Sequence, residues 1–201
     1  MRAFKPLRIR IRIQLKGKLS SLCGILRKTS SFLPTFVLLK IYFSLIHSRL
    51  QYQIANWGHA RGSYLQELQV IQNRCLKVVF HKPYLYPTRL LYNDPLNSLL
   101  PVRALHEFQM LLHLRKQSSS THSPLGTRRM HENRSSRQAG QFYLVRPQTE
   151  FGRKRISYIG CKLYNEIPTT CKNATTLSSF KRSLRVHLKT KIMQYLPNSS
   201  H

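Results

Sequence analysis

The chain has 201 residues, enough for one domain or two small ones, and its 34 Lys and Arg face only six Asp and Glu, which leaves a formal net charge of +28 at pH 7. Such an excess of base opposes compaction and favours a polyanionic partner, either a nucleic acid or an acidic surface. Two-metal polymerases and nucleases need clustered carboxylates, whereas the single aspartate here, Asp94, has no second acid within twelve residues. We therefore expect no catalytic residue and no enzyme activity in this chain on its own.

The cysteines and the apolar stretches also exclude several classes of protein. Four cysteines are spread along the chain: Cys23, Cys75, Cys161 and Cys171. They lack the short paired spacing of zinc sites, and no secretory signal precedes them. The most apolar stretch, residues 32–46, is interrupted by Pro34 and Lys40 and is shorter than the roughly 20 residues of a membrane span. We expect reduced thiols, no metal or other cofactor, no membrane partner, and an intracellular protein of the nucleus or cytoplasm rather than a secreted one.

Residues 1–17 form a basic N-terminal arm, in which arginine and isoleucine alternate from Arg8 to Ile13. Period-two alternation is typical of an edge strand, while a basic start without acids is also typical of an organellar presequence. The pattern does not separate these alternatives from a disordered arm, and we expect the disordered arm.

Residues 18–116 are predicted to form a helical domain. Apolar residues recur at helical spacing from Leu19 to Arg49, and Pro34 splits this run into two helices. A third helix is predicted from Ser63, and a fourth runs from Val102 to Lys116. The third helix has an apolar face that includes Gln72 and a polar face that carries Gln66, Gln69, Asn73 and Arg74. One face of the fourth helix carries Leu105, Phe108, Leu111, Leu112 and Arg115. The fold class is therefore mainly α, with a bundle of about four helices.

A polar, basic linker is predicted over residues 117–141, because Ser, Arg, Gln and His predominate there and few residues are apolar. Residues 142–201 are predicted to form a small β-hairpin and a C-terminal helix. The strand-like runs are residues 142–145 and 155–159, separated by Phe151-Gly152. The helix begins at Leu177 with Thr176 as its cap.

Two groups of bases are the candidate nucleic-acid-binding residues. In the first, cations beside Phe151 and Tyr158 could neutralise phosphates while an aromatic ring stacks on an unpaired base. The alternative, that both rings simply pack the hairpin, stays open at this point. The second group lies beside and behind the apolar stripe of the last helix. The candidates are Arg153, Lys154, Arg155, Lys181, Arg182, Arg185 and Lys189. We expect their contacts to be with phosphates and largely independent of sequence.

Several motifs follow one another in order along the chain, in three runs. The first run is Phe32-Leu33-Pro34, Ile41-Tyr42, Leu45-Ile46, Tyr52 and Trp57-Gly58. The second is Leu65, Leu68-Gln69, Gln72-Asn73, Leu76 and Val79. The third is Asn133-Arg134, Val145, Pro147, Gly152, Ile156, Tyr158, Gly160, Leu163, Asn165, Pro168, Phe180-Lys181, Leu184 and Leu188. These motifs resemble Jockey-like non-LTR retrotransposon reverse transcriptases, in the region that follows the palm, and the similarity covers roughly residues 18 to 192. Tyr164 stands where the family usually has tryptophan, and residues 1–17 match no pattern of the family.

The resemblance implies that residues 18–116 are a helical, thumb-like domain that grips template and primer. It implies an intact parent with RNA-directed DNA polymerase activity, a Mg²⁺-binding palm upstream of Met1, and RNA and DNA as partners, with the missing palm a further possible partner. No residue here matches that catalytic apparatus. We therefore expect a truncated fragment that binds RNA and DNA through its cationic surface. Two alternatives stay open: a host nucleic-acid-packaging or chromatin-type protein, and the translation of a decayed element without a selected function.

Overall fold

The structure, a computed structural model, describes residues 4–52, 54–58, 62–93, 99–118, 141–144, 147–153 and 155–191. Helices dominate this part of the chain, and no β-sheet forms within it, which confirms the mainly α prediction. The chain divides into two compact units. Unit 1 comprises residues 1–105 and 191–201, and unit 2 comprises residues 106–190.

In its described residues, unit 1 is built from six helices, one π-helical segment and the start of a seventh helix. They are α1 (Phe4–Thr29), α2 (Thr35–Ile41), the π-segment (Tyr42–His47), α3 (Ser48–Gln51), α4 (Ile54–Trp57), α5 (Gly62–Val79), α6 (Thr88–Asn93) and α7 (Val102–Ser118). Pro34 precedes α2 with an extended backbone and so separates it from α1, as predicted. The third and fourth predicted helices are confirmed as α5 and α7.

The expectation of a disordered arm is wrong for residues 4–17, because α1 begins at Phe4 and continues to Thr29. Leu19 and Leu26 are buried two turns apart on one face, and α1 packs against α5. Once such a packed helix exists, each further residue toward its N-terminus adds one backbone hydrogen bond without a new nucleation cost. The alternation of arginine and isoleucine therefore did not determine the local structure.

The π-segment keeps one apolar stripe facing the core of unit 1. Leu38, Tyr42, Ile46 and Leu50 are all fully buried and are spaced four residues apart. In a regular α-helix, each step of four residues rotates such a stripe by about 40° around the axis. A π-helix has i→i+5 hydrogen bonds and more residues per turn than an α-helix. The same step of four residues therefore gives a smaller rotation around the axis. Placing Tyr42–His47 in this conformation realigns the stripe.

A buried polar network ties α5 to the rest of unit 1. It includes Gln69, which the sequence analysis placed on the polar face of the helix. Gln69 and Gln72 are both buried. The Nε2 group of Gln72 donates to the Tyr42 hydroxyl at 3.1 Å and to the Leu100 carbonyl at 2.9 Å. The Val102 N–H donates to Gln69 Oε1 at 2.8 Å, which satisfies one of the free amides at the start of α7.

The same network includes Tyr92 of α6. The Nε2 group of Gln69 donates to the Tyr92 hydroxyl at 2.8 Å, and that hydroxyl donates to Asn73 Oδ1, also at 2.8 Å. Burial raises the pKa of both Tyr42 and Tyr92 above the usual range of a phenol. Both hydroxyls therefore stay protonated and remain available as donors.

The part of unit 2 that the structure describes contains the rest of α7 followed by four helices: α8 (Glu150–Arg153), α9 (Ile156–Glu166), α10 (Thr169–Lys172) and α11 (Leu177–Thr190). The predicted C-terminal helix is confirmed as α11. The predicted hairpin is wrong for residues 155–159, because Arg155 is the N-cap of α9 and Ile156–Ile159 form its first turn. Gly160, Cys161 and Tyr164 are buried at helical spacing, and this helical period outweighs the short strand-like run.

In the segment expected to form the first strand, Phe142 makes an isolated β-bridge and is also held by a side chain, while Val145 lies outside the described residues. The amide of Asn165 accepts from Phe142 N–H at 2.9 Å and donates to the Phe142 carbonyl at 3.0 Å. The Phe142 ring packs edge-on against Tyr164, with 4.9 Å between centroids. Of the predicted linker, Gln117 and Ser118 end α7 and Gln141 precedes Phe142, while residues 119–140 lie outside the described residues.

Candidate nucleic-acid interface

Helix α11 carries an apolar stripe on one side and a group of bases on the other. Phe180, Leu184 and Leu188 are buried. Arg182 and Arg185 are exposed, and Lys189 is half-buried. At about 100° per residue, these three bases lie within about 60° of one another and about 130° around the axis from the stripe. We call this surface the α11 basic face: Arg182, Arg185 and Lys189. Lys181 is half-buried and lies at its flank.

The start of α11 is fixed by a side-chain cap. The hydroxyl Oγ1 of Thr176 accepts from the Ser179 N–H at 3.1 Å, as the sequence predicted, and Phe180 N–H donates to the Thr176 carbonyl at 3.0 Å. The cap sets where the helix begins. It thereby sets which residues of α11 face the core and which face solvent.

Arg115 of α7 supports the same end of α11. Its guanidinium donates to the Ala174 carbonyl at 2.7 Å and lies 5.5 Å from the centre of the Phe180 ring. Sequence analysis placed Arg115 on the apolar face of α7 and gave it no role. The structure shows it to be a partly buried arginine that positions α11 and is therefore not a free phosphate contact.

Arg185 of the α11 basic face is held in place by an aromatic ring. Its guanidinium carbon lies 5.2 Å from the centre of the Phe108 ring of α7, a cation–π contact that restrains the side chain. Arg185 is nevertheless exposed, so its N–H groups can reach an external anion. A restrained guanidinium loses less conformational entropy on binding than a free one.

Helix α11 contains four Lys and Arg in 14 residues and no acid. Neighbouring like charges on one helix cost stability unless an anion neutralises them. An arrangement of this kind is suited to contact with several phosphates along one strand. The three bases of the α11 basic face lie within eight consecutive residues, and the first and last are about 10 Å apart along the axis.

The other predicted group of bases lies on a different element. Arg153 is exposed at the end of α8, and Arg155 is exposed at the start of α9. Lys154 and the side chain of Phe151 lie outside the described residues, and Tyr158 is half-buried on α9. The structure therefore places these two arginines at the surface but does not show the predicted pairing of bases with an exposed aromatic ring.

The segment before Arg153 is shaped by a close backbone contact. A Cβ atom built on Gly152 would lie only 2.8 Å from Cβ of Pro147, closer than side chains approach one another. Gly152 N–H donates to Thr149 Oγ1 at 3.1 Å, and its carbonyl accepts from Arg155 N–H, also at 3.1 Å. Glycine is required at this approach, and both arginines follow it within three residues of the chain.

Comparisons with known proteins leave the family open. No protein-family model matches the chain, and no match of significance appears among curated proteins or solved structures. The resemblance to reverse transcriptases therefore stays a prediction. Among the described residues, no group of three or more His, Cys, Asp or Glu could hold a metal ion. No helix within the same ranges is both long enough and apolar enough to cross a bilayer.

Sequence analysis missed a third group of bases, which lies in unit 1. Arg27 of α1, Arg74 and Lys77 of α5, and Lys82 of the following loop line one cavity. Residues 27 and 74 are far apart in the sequence, so only the packing of α1 against α5 brings them together. The spacing of Arg74 and Lys77, three residues apart on one helix, was the only local signal.

Proposed function

We propose that this chain is the post-palm, thumb-like part of a Jockey-like non-LTR reverse transcriptase, and that it binds RNA and DNA without catalysing polymerisation. The observation that carries the proposal is the α11 basic face. There, Arg182, Arg185 and Lys189 share one side of a helix whose other side is anchored in the core. Exposed Arg153 and Arg155 would extend the contact.

The chemistry of this face favours phosphate recognition over base recognition. Guanidinium and ammonium groups supply donors and positive charge, and both act on phosphates of any sequence. The ring contact between Arg185 and Phe108 uses an aromatic group that is itself buried and cannot stack on a base. We infer binding that is strongly salt-dependent and weakly sequence-specific.

The residues that carry the family resemblance are, in large part, those that hold the fold together. Gln69, Gln72 and Asn73 belong to one buried network, and Phe180 and Leu184 form the stripe of α11. This is the behaviour expected of motifs that mark a shared scaffold. In the proposed parent, polymerisation and Mg²⁺ binding would belong to the palm, and the palm would be a further partner of this region.

The test is nucleic-acid binding by the full chain across a salt series, with two variants of equal charge. One variant neutralises α11 through Lys181→Gln, Arg182→Gln, Arg185→Gln and Lys189→Gln. The control variant removes four exposed bases of unit 1 through Lys18→Gln, Lys28→Gln, Lys40→Gln and Arg49→Gln. The ligands are a structured RNA, a single-stranded DNA and a duplex DNA of matched length.

Each phosphate contact contributes about −0.9 to the slope of log K against log salt on duplex DNA and about −0.7 on single strands. We expect the α11 variant to lose about three contacts, and therefore to reduce the magnitude of the duplex slope by two to three. The control variant should change it by less than about one. Equal losses in the two variants would mean that binding follows net charge alone, and would remove α11 as the interface.

A further inference from the structure

A cavity of about 410 Å³ lies in unit 1 where α1 packs against α5, and residues of the loop after α5 complete it. Pockets that hold small molecules begin at about 300 Å³. Its walls combine three kinds of group: small or apolar residues, a thiol and a hydroxyl, and bases. The lining residues are Ser20, Cys23, Gly24, Arg27, Ile71, Arg74, Lys77, Val78, Lys82 and Tyr84.

The charge of this cavity is strongly one-sided. Four of the ten lining residues are Lys or Arg, and none is Asp or Glu. Glu67, the acid of α5, makes its ion pair with Lys16 at 3.1 Å, two helical turns before Arg74. Cations that converge on a concave surface without a carboxylate raise the local positive potential, and low-dielectric walls strengthen it.

The loop after α5 is held over the cavity by backbone geometry as well as by side chains. His81 has a positive φ of 50°. His81 N–H donates to the Val78 carbonyl at 3.1 Å, and Lys82 N–H donates to the Lys77 carbonyl at 2.8 Å. This is the Schellman arrangement that ends a helix and reverses the chain. It returns Lys82 and Tyr84 toward α5.

Lys77 anchors the same loop from the helix. Its ammonium donates to the Tyr84 carbonyl and lies 5.5 Å from the centre of the Tyr84 ring. Tyr84 is 75% exposed, so one side of its ring remains available beside the cavity. The cavity therefore has a fixed loop, an aromatic edge and a cationic wall before any ligand arrives.

We propose that this cavity binds a phosphate monoester, either a small phosphorylated molecule or the terminal phosphate of a nucleic-acid strand. A monoester carries close to two negative charges at neutral pH and three acceptor oxygens, which match several converging bases better than a carboxylate does. Arg27 and Arg74 offer planar donors, and the apolar groups Ile71, Val78 and Tyr84 can contact the organic part. The proposal is independent of α11, because different residues in the other unit carry it.

Cys23 supplies a reporter inside the cavity. A hydrogen bond with Cys75, together with the charges of Arg74 and Arg27, lowers the pKa of Cys23 to about 7 against the opposing effect of burial. A dianion bound at the same arginines would offset their effect and favour the protonated thiol. Binding and ionisation are linked, so each must weaken the other. Since the thiolate is the reactive form, bound phosphate should slow alkylation of Cys23.

The experiment measures the rate at which iodoacetamide modifies Cys23 in the reduced full chain at pH 7, with mass spectrometry to identify the cysteine. The ligands are inorganic phosphate, adenosine monophosphate, and one oligonucleotide with either a 5′-phosphate or a 5′-hydroxyl. Adenosine and sodium chloride at matched ionic strength are the controls. If bound phosphate makes Cys23 a tenfold weaker acid, the thiolate fraction falls from about one half to about one tenth, and the rate falls about fivefold.

We expect saturable protection by the phosphate compounds and none by adenosine. Protection should disappear in Arg27→Gln/Arg74→Gln and persist in Lys28→Gln, a neighbouring exposed base that does not line the cavity. Tighter binding of the 5′-phosphorylated oligonucleotide than of the monophosphate would assign the ligand to a strand end, and the reverse order would assign it to a small molecule. Protection that sodium chloride reproduces, or that survives the double arginine substitution, would overturn the proposal.

Discussion

At the scale of single residues, unit 1 depends on two buried glutamines, of which the sequence distinguishes only Gln72 from a surface glutamine of the same helix. Gln69 and Gln72 are buried, whereas Gln66 on the same helix is exposed. A buried amide is tolerated only when its donors and acceptors are paired, and both amides are paired in the network. Their burial could be predicted for Gln72 from its apolar face, but not for Gln69, whose partners are distant in the sequence.

Gln72→Glu tests this network. The introduced carboxyl has nearly the same shape but places an oxygen where Nε2 donates to the Leu100 carbonyl and the Tyr42 hydroxyl. Burial favours the neutral acid, so the variant should be least destabilised at low pH and lose stability as pH rises and the carboxyl ionises. We expect a loss of at least about 2–3 kcal/mol at pH 7.5 and a smaller loss at pH 4.5.

Urea unfolding at the two pH values measures both quantities. Gln66→Glu is the matched control, because it makes the same charge change on an exposed face of α5. It should change stability by no more than about 0.5 kcal/mol, with little difference between the two pH values. Similar losses in the two variants would show that the amide of Gln72 contributes nothing special to unit 1.

At the scale of elements, the sequence predicts those helices whose apolar residues repeat over several turns. Helices α5, α7 and α11 each carry such a repeat, and each lies where it was predicted. Short elements were missed because one or two turns give no period. The hairpin prediction failed for a related reason. Taken alone, residues 155–159 have a strand-like pattern. Buried Cys161 and Tyr164, however, continue a helical face that packs in the core.

The cap of α11 offers a test at this scale with a control one residue away. Thr176→Ala removes the acceptor for the Ser179 N–H and should cost about 1 kcal/mol, within a usual range of 0.5–2. Thr175→Ala changes an exposed threonine immediately before it and should be nearly neutral. Thermal unfolding compares the two. Because α11 carries the basic face, Thr176→Ala should also weaken duplex binding more than Thr175→Ala does, and equal behaviour of the pair would argue against the cap.

At the scale of the whole molecule, charge opposes folding and favours binding at the same time. Six acids cannot neutralise 34 bases, so the compact state concentrates positive charge that the unfolded chain spreads out. The α11 basic face and the cavity in unit 1 are two places where several bases come together. Helical periodicity predicted the first of them. The second requires the packing of α1 on α5, which composition and spacing do not reveal.

The folded chain should therefore become more stable as salt increases, in contrast to a protein held together by surface ion pairs. Raising sodium chloride from about 0.1 M to 1 M shortens the screening length from about 10 Å to about 3 Å, which weakens repulsion between exposed bases. We expect the free energy of unfolding to rise by about 1 kcal/mol, which corresponds to a rise in Tm of about 2–4 °C for a chain of this size. Differential scanning calorimetry measures it. A Tm that is flat or falls with chloride would show that self-repulsion is not a significant term.

Phosphate at the same ionic strength separates screening from binding in that measurement. Screening depends on ionic strength alone, whereas a ligand that binds only the folded state adds RT ln(1 + [L]/Kd) to its stability. If the cavity of unit 1 binds phosphate, the Tm in phosphate should exceed the Tm in chloride, and the excess should vanish in Arg27→Gln/Arg74→Gln. The chloride-dependent rise should survive that substitution, because 32 of the 34 bases remain. The two contributions of charge, one spread over the chain and one placed by the fold, can thus be measured independently in one protein.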